Sequence, residues 1–183
     1  MHLINAVCFD IINKMDNFDF LEIIMQDKTN VMRLLDGKKL KYNSFFYGDG
    51  NAISATEVAA YLGQAPERVF KTLVTVGKSG KNYVFVVPGC DELDLKKAAK
   101  AVGEKSIAMI PSKELLPLTG YIHGGCSPIG MKKFFTTTIH RSAKDFDTIF
   151  FSAGRIGVQV EMSIEELGKI IRFSLDDIAS QGE

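Results

Sequence analysis

A glycine-rich loop at residues 120–133 contains residue types that could do chemistry. It reads Gly-Tyr-Ile-His-Gly-Gly-Cys-Ser-Pro-Ile-Gly-Met-Lys-Lys. Gly124, Gly125 and Gly130 have no Cβ, so they reach positive φ at low cost and let another molecule approach the main chain. Backbone N–H groups exposed in such a loop can bind an anionic or carbonyl oxygen. The same composition is typical of a tight connection between two strands, and the local sequence leaves both interpretations open.

Two side chains of this loop, His123 and Cys126, invite a metal site or a nucleophile and its base. Two ligands are too few for zinc, and neither His2 nor His140 has ligand spacing to them. A thiol nucleophile needs a positioned base and an oxyanion site, which a sequence cannot show. We therefore expect a packing role for Cys126. We expect no metal and no cofactor, since metal, P-loop and dinucleotide fingerprints are missing from the sequence. A thiol enzyme that uses Cys126 and His123 is the weaker hypothesis.

A lysine interrupts the otherwise apolar run Val-Phe-Lys-Thr-Leu-Val-Thr-Val at residues 69–76. Alternation along a strand places Val69, Lys71 and Leu73 on one face. If that face lines a cavity, Lys71 is a point cation suited to a phosphate or a carbonyl oxygen. An edge-strand lysine that discourages aggregation fits the spacing equally well. The turn Ser-Ala-Gly-Arg-Ile-Gly at residues 152–157 supplies a hydroxyl and a guanidinium, and is either a strand connection or another wall of the same pocket.

The composition is that of a globular protein of one-domain size. The 183 residues are 46% hydrophobic and 24% charged, which disfavours disordered and fibrous classes. The cysteines Cys8, Cys90 and Cys126 form no CxxC motif, which favours a reducing cytoplasm. Acidic residues interrupt every apolar patch of residues 1–25, so a spanning helix is excluded and a secretory signal is disfavoured. We expect residues 1–25 to be an N-terminal extension and residues 26–183 to be the domain.

The formal net charge is zero, but the charges are unevenly distributed. Residues 1–25 carry one Lys and four acids, and residues 26–144 carry eighteen Lys or Arg and ten acids. Residues 145–183 carry three Lys or Arg and eight acids. The net charges of these segments are −3, +8 and −5. A basic middle segment can present a positive face to nucleic-acid phosphate, and a solvated mixed-charge surface is the equal alternative.

The elements that must position these residues are short. Helices are predicted after Thr29 or Asn30 and ending at Gly37, after the capping box at Ser54, after Asp94, from Ser112 to near Pro117, and after Ser163 through Ile171. Strands are predicted at residues 44–47, 69–76, 83–87, 107–110, 134–139, 148–152 and 158–161, with 69–76 and 83–87 forming a hairpin. We predict an α/β (α+β) fold with a compact mixed-sheet or barrel core of about eight strands and short peripheral helices.

Four motifs in order make this sequence resemble the YbaK/EbsC family. They are Phe-Lys-Thr-Leu at residues 70–73, Leu-Lys-Lys-Ala-Ala-Lys at 95–100, the loop at 120–133 and the turn at 152–157. The resemblance covers about residues 27–180. That family is related to the editing domain inserted in bacterial prolyl-tRNA synthetases, so the resemblance implies the same fold.

The resemblance implies a cytoplasmic trans-editing deacylase for Cys-tRNA(Pro), and also for Cys-tRNA(Cys), that protects translational fidelity. Its expected partners are the aminoacylated 3′ end of tRNA and prolyl-tRNA synthetase, with no membrane and no metal. A proline pocket cannot strongly exclude cysteine of similar volume, so a second site must clear the error. The alternatives are a deacylase for another mischarged tRNA such as Ala-tRNA(Pro), or a noncatalytic tRNA- or synthetase-binding module.

The resemblance also implies site residues. By similarity, Lys71 would hold the terminal nucleotide or the acyl carbonyl, while N–H groups of the glycine loop position the ester. The family is thought to let the substrate's own thiol attack its ester, so the protein need not supply a nucleophile. The implied catalytic residues are Lys71, Gly124 and Gly125, and the implied substrate-binding residues are Tyr47, Thr72, Ser127, Ser152, Gly154 and Arg155.

Overall fold

The structure is a computed structural model and describes residues 28–47 and 54–181. The predicted extension at residues 1–25 lies outside these ranges. The α-helices in the described ranges are α1 (Asn30–Gly37), α2 (Ala55–Leu62), α3 (Leu95–Ala101), α4 (Ser112–Thr119) and α5 (Ile164–Gly168). The strands there are β1 (Asn43–Phe46), β2 (Phe70–Gly77), β3 (Asn82–Pro88), β4 (Asp91–Leu93), β5 (Ile107–Met109), β6 (Thr136–His140), β7 (Ile149–Ser152), β8 (Val158–Met162), β9 (Ser174–Asp176) and β10 (Ala179–Gln181).

These strands form a mixed α/β architecture, as predicted. The five-stranded sheet has the order β5-β2-β3-β6-β9, with antiparallel pairs at β5-β2-β3 and parallel pairs at β3-β6-β9. An antiparallel three-stranded sheet has the order β1-β8-β7, and β10 pairs with β4. A parallel bridge between Val69 and Phe150 joins the two larger sheets just before β2 begins. The strands are therefore divided among three sheets, and the two larger ones meet beside Lys71.

Strand β3 is buried on both faces, which explains its continuous run of apolar residues. Val84 and Val86 contact the larger core, while Tyr83, Phe85 and Val87 belong to a smaller core that α3 covers. Helix α1 closes the larger core with three fully or almost fully buried side chains, those of Val31, Met32 and Leu35. Within the described ranges, no helix is long and apolar enough to cross a membrane.

All five predicted helix starts are confirmed, four of them with a side-chain cap, whereas the helix that begins at Ser112 has no side-chain cap. Thr29, Ser54, Asp94 and Ser163 each accept a backbone N–H of the following turn. The Ser54 cap is reciprocal, because the Glu57 carboxylate accepts the Ser54 backbone N–H at 2.7 Å. These interactions lie within three residues of each other in the chain, so a sequence pattern predicts them well.

Helix α4 continues two residues past Pro117, near which we predicted its end. Proline removes one backbone donor, but the Thr119 hydroxyl donates to the Leu115 carbonyl at 2.7 Å and the Gly120 N–H donates to Leu116 at 2.9 Å. Gly120 then ends the helix with φ of 88°. Helix α5 is shorter than predicted and ends at Gly168.

Arg68 crosslinks the end of β8 to the segment before β7. Its Nη2 lies 3.1 Å from the Glu161 carboxylate and donates to the Thr148 hydroxyl at 2.6 Å, and its guanidinium lies 5.2 Å from the centre of the Phe150 ring. Burial opposes ionisation of Glu161, but hydrogen bonds from Asn43, Thr148 and Arg68 outweigh it and lower the pKa of this carboxyl. The lowered pKa means that folding favours the charged carboxylate.

Arg68→Met should lower the free energy of unfolding at pH 7 by about 1–3 kcal/mol, because it leaves the half-buried Glu161 charge unpaired. Arg141→Met is the matched control and should cost under about 0.5 kcal/mol, since Arg141 is exposed and 3.7 Å from Asp177. Because the folded pKa of Glu161 is depressed, its contribution is present above the unfolded value and lost as pH falls through the folded one. Urea unfolding at pH 7 and pH 3 measures both effects, and an equal cost for the two variants at pH 7 contradicts the prediction.

Candidate active site

A cavity of about 110 Å³ lies where the two larger sheets meet. It is bounded by the end of β1, the first turn of α2, the start of β2, the glycine loop, and the facing residues of β7 and β8. Its lining residues are Tyr47, Ala55, Val58, Val69, Phe70, Lys71, Thr72, Gly124, Cys126, Ser152 and Gln159. The tertiary structure therefore brings together residues that are spread over more than a hundred positions of the chain.

Lys71 and Thr72 both line the cavity although neighbouring residues of a strand point to opposite faces. The cavity therefore lies at the start of β2 and not over one of its faces. The Lys71 Nζ is 2.9 Å from the Glu92 carboxylate of β4, whose side chain is 71% exposed. Such a solvated ion pair contributes only about 0–1 kcal/mol, so a ligand can replace Glu92 at little cost.

Two buried polar atoms of the cavity residues have no hydrogen-bond partner within the described chain: Thr72 Oγ1 and Gln159 Oε1. Gln159 is 6% exposed, and its Nε2 donates to the Tyr47 hydroxyl at 3.2 Å. That hydrogen bond sets the orientation of the amide and leaves its oxygen as an unsatisfied acceptor. An unsatisfied buried polar atom costs about 1–3 kcal/mol, so a ligand that supplies a donor here gains what the free protein lacks.

Gln159 was missed by the sequence analysis. It stands in Val-Gln-Val-Glu-Met, the buried strand β8, and is the polar residue of that strand with the least exposure. A polar residue inside an apolar strand was the available signal, the same signal that drew attention to Lys71. The pattern did not reveal that both strands begin at one cavity.

The two glycine-bearing segments contact each other closely beside the cavity. A Cβ on Gly125 would lie 3.2 Å from the Ile156 backbone nitrogen. A Cβ on Gly154, whose φ is +86°, would lie 2.8 Å from Cε1 of Tyr121. The Tyr121 hydroxyl in turn donates to the Ile129 carbonyl at 2.5 Å and so joins the two ends of the loop. These glycines are needed because the loops approach one another.

Five of the predicted site residues line the cavity: Lys71, Gly124, Tyr47, Thr72 and Ser152. The other four do not. Gly125 and Gly154 lie at the contact between the two loops, and Ser127 is fully buried with its hydroxyl accepting the Ile129 N–H at 3.4 Å. Arg155 is exposed on the turn. Their assignment to catalysis or substrate binding stays a prediction.

Cys126 lies in the cavity wall as a poor nucleophile. Its side chain is 8% exposed, and burial raises its pKa to about 12. The thiol is therefore neutral near pH 7, whereas the thiolate is the reactive form. His123 is exposed while Cys126 is buried, which disfavours the pairing that a thiol enzyme needs. Among the described residues, no three His, Cys, Asp or Glu side chains form a group that could hold a metal ion.

Comparisons with known proteins show the family and the fold of this chain. Residues 49–170 match the aminoacyl-tRNA editing domain family. EbsC of Enterococcus faecalis, named as a Cys-tRNA(Pro)/Cys-tRNA(Cys) deacylase, is 47% identical over 157 residues, which are 85% of this chain and 96% of EbsC. A proline–tRNA ligase of Pelobacter propionicus is 34% identical over 80 residues, 44% of this chain and 14% of the ligase. A crystal structure described as a trans-editing enzyme for prolyl tRNA synthetase has a TM-score of 0.70 at 23% identity, covering 83% of this chain and 98% of that one.

Gly154→Ala should lower the free energy of unfolding by about 1–3 kcal/mol, because alanine disfavours the positive φ at this position. The overlap of the new Cβ with the Tyr121 ring should lower it further. Gly80→Ala is the matched control, because Gly80 has φ of +82° and a Cβ there would meet nothing within 4 Å. Chemical denaturation measures the loss of unfolding free energy in both variants. The extra loss in Gly154→Ala is the cost of the overlap with Tyr121. Equal destabilisation would show that the contact between the two loops is not tight.

Proposed function

We propose, because this chain belongs to the aminoacyl-tRNA editing domain family, that it is a trans-editing deacylase that removes cysteine from mischarged tRNA(Pro). EbsC, to which it is 47% identical, is named for that reaction and for Cys-tRNA(Cys). The observation that carries the proposal is the small cavity that holds the Lys71 ammonium together with two unsatisfied polar atoms, those of Thr72 and Gln159.

The size and the walls of the cavity suit a small aminoacyl group. A volume of about 110 Å³, bounded by Tyr47, Val58 and Phe70, restricts the side chain that can enter. A synthetase cannot strongly exclude a wrong amino acid of nearly the same volume, so a second site must apply a different test. Here that test is the fit of the acyl group together with its polar contacts.

The polar groups of the cavity divide into a donor and two acceptors. Lys71 supplies positive charge for the ester carbonyl or for a phosphate of the terminal nucleotide. Gln159 Oε1 and Thr72 Oγ1 accept hydrogen bonds from the α-ammonium group of the substrate, which gives each of them the partner that it lacks. Gly124, with φ of +80°, lets the main chain approach the ester closely.

The nucleophile in this proposal is the substrate thiol, because Cys126 is neutral and buried. The substrate sulfur forms a bond to its own carbonyl carbon, and the ester C–O bond to the ribose breaks. The thiol proton ends on the ribose hydroxyl that leaves, so a cyclic thioester and a free tRNA are produced. The protein contributes by holding sulfur and carbonyl close together and by stabilising negative charge on the carbonyl oxygen.

The setting that fits this reaction is the cytoplasm, beside prolyl-tRNA synthetase, which makes the error. The similarity of residues within this chain to part of a proline–tRNA ligase supports that partnership. The charged tRNA is the substrate, and the domain at residues 26–183 is the proposed editing unit.

Lys71→Ala should lower kcat/KM for Cys-tRNA(Pro) about 100-fold or more, since it removes the charge that faces the developing oxyanion. Cys126→Ala should keep kcat/KM for Cys-tRNA(Pro) within about twofold of the wild type. Neither the wild type nor this variant should remove proline from Pro-tRNA(Pro). Ala-tRNA(Pro) should also resist, because alanine has no thiol. Release of labelled amino acid measures all of these rates. Loss of activity with Cys126→Ala would restore the thiol-enzyme hypothesis, and no release from any of these tRNAs would exclude the proposed function.

Thr72→Val should raise the stability of the free protein and lower its activity. The substitution removes a buried hydroxyl oxygen that has no partner, which should raise the free energy of unfolding by about 1 kcal/mol. It also removes an acceptor for the substrate, so KM for Cys-tRNA(Pro) should rise about tenfold. Thr138→Val is the control that should lower stability, because the Thr138 hydroxyl is hydrogen-bonded to Ser174 at 3.1 Å. A Thr72→Val protein that is less stable, or one with unchanged KM, contradicts the proposed role.

A further inference from the structure

An apolar groove with an exposed aromatic residue lies beyond the active-site cavity. The groove has a volume of about 250 Å³, and its apolar lining includes Leu34, Ile129, Met131, Ile170 and Ile171. Phe134 lines it as well, and a second hollow of about 510 Å³ shares Lys133, Phe134 and Phe135 with it. We call the two hollows together the Phe134 groove. An apolar concavity with a polar rim on a surface is a candidate interaction site.

Phe134 contributes almost nothing to the core. Its side chain is 92% exposed, while the other large apolar side chains with high exposure reach at most 64%. An aromatic ring in that position offers a flat apolar face to a ligand. Nucleic-acid bases stack on such rings, and the stacking tolerates any base because every base has a π-face.

The charges around the Phe134 groove all have one sign. Lys38, Lys133 and Arg172 line the first hollow, and Lys81 and Lys133 line the second. Neither lining includes a carboxylate within the described chain. The protein as a whole is neutral, so a rim of cations without acids is a local concentration of charge. It is complementary to phosphate.

The Phe134 groove and the active-site cavity are joined by shared elements. The loop at residues 120–133 lines the cavity with Gly124 and Cys126, and it lines the groove with five of its last six residues. Helix α1 packs against the Gly154 turn through Val31 and lines the groove through Leu34, about 4.5 Å further along its axis. The cavity and the groove are therefore built on the same loop and next to the same helix.

We infer that the Phe134 groove binds a single-stranded part of the tRNA, with a base stacked on Phe134 and phosphates at Lys38, Lys133 and Arg172. The inference rests on the proposed function, because that function makes tRNA the ligand. An acidic amphipathic protein segment is the competing occupant, but an exposed aromatic ring that lines two cationic hollows favours RNA. The groove thus adds affinity for the nucleic acid to the recognition of the aminoacyl group.

Fluorescence anisotropy with uncharged, labelled tRNA(Pro) tests the inference without depending on hydrolysis. Phe134→Ala should weaken binding about tenfold through the loss of stacking. Lys133→Ala should reduce the slope of log Kd against log salt by about 1. The controls Met109→Ala and Lys105→Ala alter an exposed apolar residue and an exposed lysine outside the groove, and both should bind within about twofold of the wild type.

Hydrolysis then separates the groove from the cavity. Phe134→Ala should raise KM for Cys-tRNA(Pro) about tenfold and leave kcat/KM for cysteinyl-adenosine unchanged, because the short substrate does not reach the groove. A wild type that hydrolyses neither substrate excludes the proposed function, while the anisotropy still decides the inference. Unchanged tRNA affinity of both groove variants overturns it. If those variants lose affinity for purified prolyl-tRNA synthetase instead, the groove is a protein-binding site.

Discussion

The active-site cavity depends on a contact between two loops that leaves no room for a Cβ atom. Gly125 approaches the main chain at Ile156, and Gly154 packs against the Tyr121 ring. A Cβ on Gly154 would lie 2.8 Å from the Tyr121 ring, closer than real side chains come, and one on Gly125 would lie a tight 3.2 Å from Ile156 N, so larger residues at these positions push the loops apart. The same contact keeps Gly124 and Ser152 on one cavity. The shape of the cavity therefore depends on Gly125 and Gly154, which do not line it.

The cavity buries polar atoms that lack hydrogen-bond partners, which costs the free protein stability that a bound ligand can restore. Among the described residues, Thr72 Oγ1 and Gln159 Oε1 are buried without partners, while most other buried polar side chains are hydrogen-bonded. Within the part of the chain that the structure describes, Lys71 forms an ion pair with Glu92, a solvated residue that holds it weakly. Because these polar atoms have no partners in the free protein, a ligand that binds them breaks no existing hydrogen bond, and more of the interaction energy contributes to affinity. This arrangement is consistent with an enzyme that recognises a small group by polar contacts.

The local elements were predicted well because their causes are local. The caps at Thr29, Ser54, Asp94 and Ser163 act within three residues, and the hairpin of β2 and β3 follows from two apolar runs around a glycine turn. The strands β4, β9 and β10 were missed. Each is three residues long, and each is held by a partner distant in the chain, as Ser174 is by Thr138. Such strands exist through pairing and have no propensity signal of their own.

The sequence by itself determined the chemistry that is available: a lysine in an apolar strand, two glycine-rich loops, and motifs in an order that indicates an editing protein. The tertiary structure decided which of these residues meet. It placed Lys71, Gly124 and Ser152 on one cavity, added Gln159, and moved Gly125 and Gly154 from the cavity to the contact between the loops. The physical reason is that a residue type is a local property, whereas burial, the loss of a hydrogen-bond partner and the clearance around a missing Cβ depend on segments far apart in the chain.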